Sequence, residues 1–68
     1  MKLYSIAGDQ ADYICTVENQ AEAVKEAQEF CRDRKMKSGE EWQFVTTGDA
    51  SCCVFAVTLV EEYKVEEV

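Results

Sequence analysis

The sequence predicts an α+β domain, ββαββ, in which a four-stranded antiparallel sheet carries one helix packed on one face. Three observations lead there. Two pairs of short, mostly apolar segments are each split by a Gly-Asp step, which reads as a hairpin. One long glycine-free stretch with helical periodicity lies between the pairs. The chain has 68 residues, 47% of them apolar, enough for one small core and no more, so residues 1–68 are expected to form a single domain.

The first hairpin joins Lys2–Ala7 to Asp12–Val17 through Gly8-Asp9, glycine supplying the positive φ of a tight turn. A loop of two or four residues puts Tyr4, Ile6, Tyr13, Cys15 and Val17 on one face and Leu3, Ser5, Ile14 and Thr16 on the other. The first set is bulkier and is expected to face the core. The helix is expected from Gln20 to about Lys37. Asn19 followed three residues later by Glu22 is a capping-box-like start. Ala23, Val24, Ala27, Phe30 and Cys31 fall on one side at 100° per residue. Arg32, Arg34, Lys35 and Lys37 suit the negative end of the helix dipole, and Ser38-Gly39 is the expected stop.

The second hairpin alternates Trp42 and Phe44 against Gln43 and Val45 over residues 41–47, then turns at Thr47-Gly48-Asp49-Ala50. Its last strand, from Cys52 to about Glu61, is apolar on both faces: Cys53, Phe55, Val57 and Leu59 on one, Cys52, Val54, Ala56 and Val60 on the other. Residues 62–68 are expected to extend that strand or to fray. One helix covers only one face of such a sheet. Leu3, Ile14, Val45, Val54, Ala56 and Val60 would then form an apolar patch in water, which monomers avoid beyond a few hundred Å². Either the tail at residues 63–65, a partner or a second copy covers it, the last making the chain a homodimer, or the all-apolar strand is simply the central one of the sheet with a modest exposed area.

The N-terminus has no apolar run of signal-peptide length, and the longest apolar stretch falls short of a membrane span, so a cytoplasmic, soluble protein is expected. In that compartment Cys15, Cys31, Cys52 and Cys53 read as reduced thiols that pack as small hydrophobes. A zinc site is disfavoured because Cys52 and Cys53 point to opposite faces and Cys15 and Cys31 have no near neighbour in sequence. Histidine is absent, and with it the commonest general base and metal ligand. No P-loop, GxGxxG or GxSxG occurs. No catalytic residue, cofactor or metal is therefore expected, and the chain is expected not to be an enzyme. A cysteine-based metal or redox protein stands as one alternative.

Charge is the strongest functional signal. Fourteen Asp+Glu against seven Lys+Arg give a net charge of −7, which disfavours direct contact with nucleic acid or an anionic membrane. Glu18, Glu22, Glu26, Glu29 and Asp33 recur at spacings of four, four, three and four on the helix side away from the core. Like charges at i,i+4 cost a helix ~0.2–0.5 kcal/mol per pair, partly offset by Glu22/Lys25 and Glu29/Arg32. Such a stripe is either an ordinary solvated face or a surface that occupies a basic groove. Glu61 and Glu62, with Glu66 and Glu67, add a second acidic set, and Trp42 is a candidate aromatic anchor at the sheet rim.

In element order, size and acidity the chain resembles small phage- or mobile-element-encoded inhibitors, including some anti-CRISPR proteins. That resemblance implies a protein-binding inhibitor, and the acidic stripe with the −7 charge makes its expected partner a basic, nucleic-acid-handling protein or complex. The residues expected to meet it are Glu22, Glu26, Glu29, Asp33, Glu61, Glu62 and Trp42; the alternative of a homodimeric accessory module uses the apolar patch instead.

Overall fold

The computed structural model describes residues 1–48 and 52–67. The elements run β1 (Lys2–Ala7), β2 (Gln10–Thr16), α1 (Gln20–Asp33), β3 (Glu41–Thr47), β4 (Cys52–Leu59) and β5 (Tyr63–Glu67). All strand pairs are antiparallel, in the spatial order β2-β1-β3-β4-β5. The class is α+β as expected, but the sheet has five strands rather than four. Residues 60–62 reverse the chain, and the tail pairs with β4 from Leu59↔Tyr63 to Phe55↔Glu67. Its alternation sends Tyr63 and Val65 against the core on the helix side. It neither frays nor folds back over the open face, and β4 ends at Leu59, short of Glu61.

Asn19 caps α1: its Oδ1 accepts the Glu22 N–H at 2.8 Å. The helix ends four residues earlier than Lys37, and Ser38-Gly39 is not its stop. Lys35 takes φ 57°, its N–H bonds to the Arg32 carbonyl, and the Met36 N–H bonds to the Cys31 carbonyl at 2.9 Å. That is the Schellman pattern with lysine in the glycine position. Met36, buried as deeply as the core, packs beyond it and turns the chain inward. Arg32 alone of the four basic residues therefore lies within the last turn.

In the first hairpin Ala7 pairs with Gln10, leaving Gly8 and Asp9 as a two-residue turn with Gly8 at φ 60°. The expected face assignment fails here. Leu3 pairs with Cys15 but Tyr4 pairs with Tyr13, so Ile14 is the extra residue of a β-bulge. The bulge puts Cys15 and Tyr13 on opposite faces. Leu3, fully buried, and Ile14, packed against the core, belong to the helix side; Tyr4, Ile6 and Tyr13 belong to the open side. The second hairpin keeps its expected alternation, with Trp42, Phe44, Phe55 and Val57 inward and Gln43, Val45, Val54 and Ala56 outward. Its pairing closes at Thr47↔Cys52, and the turn expected at Thr47-Gly48-Asp49-Ala50 lies largely outside the described residues.

The core forms where Ala23, Ala27 and Cys31 let the helix approach the sheet closely. Phe44 stacks on Phe55 at 5.6 Å and meets Phe30 edge-on at 5.7 Å. Leu3, Val17, Val57 and Met36 complete it. Each large side chain buried there contributes ~1.5–3 kcal/mol.

Candidate functional site

The acidic stripe is set by the way α1 sits on the sheet. The buried line Ala23–Ala27–Cys31 faces inward. One flank leans on β5, where the Gln28 amide donates to the Tyr63 carbonyl at 2.9 Å and the Arg32 guanidinium lies 5.2 Å from the Tyr63 ring centre. Glu22, Glu26, Glu29 and Asp33 run along the other flank. Glu29 and Asp33 are exposed, as is Glu18 just before the helix, while Glu22 and Glu26 are half-buried over β2. Burial pushes the Cys15 thiol on β2 above its ordinary range, and Glu26 and then Glu22 push it further, so the negative field of the stripe reaches the strand below. Asp12, opposite Ser5 and hence on the helix side of β2, adds an exposed carboxylate to this flank. Asp12 stands outside the helical spacing of the stripe; its signal in the chain is the two-residue turn, which fixes Asp12 opposite Ser5.

The other expected contacts are elsewhere. Glu61 and Glu62 lie exposed in the β4–β5 turn, beside the loop after the helix, where the Ser38 hydroxyl donates to the Val60 carbonyl at 3.3 Å. They therefore neighbour the loop that carries Lys37, at the far end from the helix N-terminus, and do not join the stripe. Trp42 is half-buried, edge-on to Phe30 at 6.2 Å. It lines a groove of about 550 Å³ with Phe30, Phe44, Arg34 and the Ser5–Gly8 segment. Arg34 closes part of that groove with its guanidinium 4.5 Å from the Phe30 ring centre.

Of the apolar patch expected from sequence, Val45, Val54 and Ala56 lie on the open face, Leu3 and Ile14 do not, and Val60 stands in the β4–β5 turn. Tyr4, Ile6 and Tyr13 take the places that Leu3 and Ile14 leave. Tyr4 and Tyr13 meet edge-on at 5.8 Å.

All four cysteines are free. Burial pushes the Cys31 thiol up to about 11, so both it and Cys15 are neutral thiols near pH 7. Among the described residues no three His, Cys, Asp or Glu side chains group to hold a metal ion, and no helix is long and apolar enough to cross a membrane. No family model matches the chain, and neither a curated protein nor a solved structure matches it.

Proposed function

We propose that the chain is a non-enzymatic protein-binding inhibitor that lays the acidic flank of α1 into a basic, nucleic-acid-binding groove of a partner protein. The observation that carries this reading is the alignment of Glu22, Glu26, Glu29 and Asp33 along one flank of a helix whose opposite side is locked to the sheet. At 1.5 Å rise per residue, those four carboxylates span about 16 Å. Rigid backing matters because charges on a preorganised element lose little entropy when they meet a partner. Asp12 widens the acidic surface toward β2, and the net charge of −7 steers the molecule to a cationic target.

Affinity capture from the native host at low and high salt, read by mass spectrometry, supplies the partner. Its affinity is then measured against ionic strength for the wild type and for the charge-reversed set Glu22→Lys, Glu26→Lys, Glu29→Lys and Asp33→Lys. The reversed set should bind at least ~10-fold more weakly, with a flatter salt dependence. Nucleic acid should compete with the wild type for the same partner. Equal affinity and equal salt slope in a folded charge-reversed protein would remove the stripe as the contact.

A further inference from the structure

The face of the sheet opposite the helix carries a band of apolar side chains across four strands. In register, Tyr13, Tyr4, Val45 and Val54 form one row, and Ala11, Ile6, Gln43 and Ala56 the next. Its charge differs from that of the rest of the molecule. The pairing register places Lys2 and Lys64 on this face against Glu41 and Glu66, and Glu18 adds a carboxylate at its rim beside Lys2, Tyr4 and Thr16, so it is close to balanced within a chain of net charge −7. The carboxylate surplus lies mainly in the turns and loops, with Asp9, Glu18, Glu40, Glu61 and Glu62, because Lys25, Arg32, Arg34, Lys35 and Lys37 offset most of the carboxylates on and beside the helix. A basic partner therefore has no electrostatic reason to choose the open face, whereas two copies can meet there with their acidic flanks directed apart.

The band is also complementary to itself in shape. Its β2–β1 half is aromatic, with Tyr13 and Tyr4, and its β3–β4 half is small, with Val45, Val54 and Ala56. A two-fold axis parallel to the strands, between β1 and β3, sets the aromatic half of one copy on the small half of the other. Tyr4 then meets the second copy's Val45, and Tyr13 its Val54. The Tyr13 hydroxyl already bonds to the Thr16 hydroxyl at 2.8 Å, so covering its ring leaves that group satisfied. Five strands about 4.8 Å apart and five to eight residues long make a plate roughly 20 Å on a side, suited to a reversible dimer rather than a permanent one.

We propose that the open sheet face is a two-fold interface with a second copy of this chain, built by packing Tyr4 and Tyr13 of each copy on Val45 and Val54 of the other.

Sedimentation velocity of the full chain between about 10 µM and about 1 mM, the range such a face commands, tests it. The mass should rise from 7.7 kDa toward twice that value. Tyr13→Lys changes a side chain that is 56% exposed on an outer strand, so it should keep the native circular dichroism and stay monomeric. Tyr4→Val and Val45→Tyr, each alone, should weaken association at least ~10-fold, and the two together should restore it, because the large and small partners are exchanged. A wild type that stays at 7.7 kDa throughout, a trimer or higher species, a folded Tyr13→Lys that dimerises like the wild type, or a swap that fails to restore pairing would each overturn the proposal.

Discussion

At φ 57°, Lys35 holds a left-handed backbone that costs a side-chain-bearing residue about 1–2 kcal/mol, and it does so because Met36 must turn inward. Lys35→Gly should therefore raise stability by about 0.5–1 kcal/mol, the gain being reduced by the greater freedom of glycine in the unfolded chain; the urea midpoint reads it. At the other end of α1, Asn19→Ala should cost about 1 kcal/mol by removing the acceptor of the Glu22 N–H. The Cys31 thiol makes a pH prediction. Its folded pKa of about 11 exceeds the unfolded value near 9, so its contribution is fully present below pH 9 and is lost as pH rises toward 11. The Cys31 share of the loss is on the order of 2 kcal/mol, so the loss should be smaller by about that amount in Cys31→Ala, when the two proteins are unfolded in urea at pH 8 and again at pH 10.5.

The elements differ in how much of them the residues announce. The helix start is legible because Asn19 and Glu22 stand at capping spacing, β3 because Trp42 and Phe44 alternate with Gln43, and β4 because it is a short continuous apolar run rich in β-branched and aromatic residues. The helix end is not, since lysine occupies the position where glycine would mark a stop. The first hairpin hides its bulge: an extra Ile14 reverses the faces of β2, and only the pairing with β1 reveals it. The acidic spacing of the candidate site is visible in the chain, whereas its inclusion of Asp12 and its separation from Glu61 and Glu62 follow from topology. One side-chain bridge between helix and sheet was equally invisible. The Thr46 hydroxyl donates to Gln20 Oε1 at 3.0 Å, while the buried Gln20 Nε2 has no partner. Thr46→Val should cost about 1 kcal/mol in thermal unfolding, and adding Gln20→Met should recover most of it, since replacing both polar partners is close to neutral.

In the whole molecule the two faces differ in chemistry. One flank of α1 lines up four carboxylates, and the open side is close to balanced in charge and carries the apolar band. Added salt should therefore weaken capture of a basic target while leaving self-association through the sheet nearly unchanged or stronger. The two outer strands also limit how copies can meet. β2 is broken by its bulge, and β5 is five residues long and carries Lys64, Glu66 and Glu67. Such borders resist the sideways addition of further strands. Lateral growth into ribbons is stopped at both margins, so a concentrated solution should remain clear and leave an amyloid-reporting dye dark, with any assembly closing after two copies.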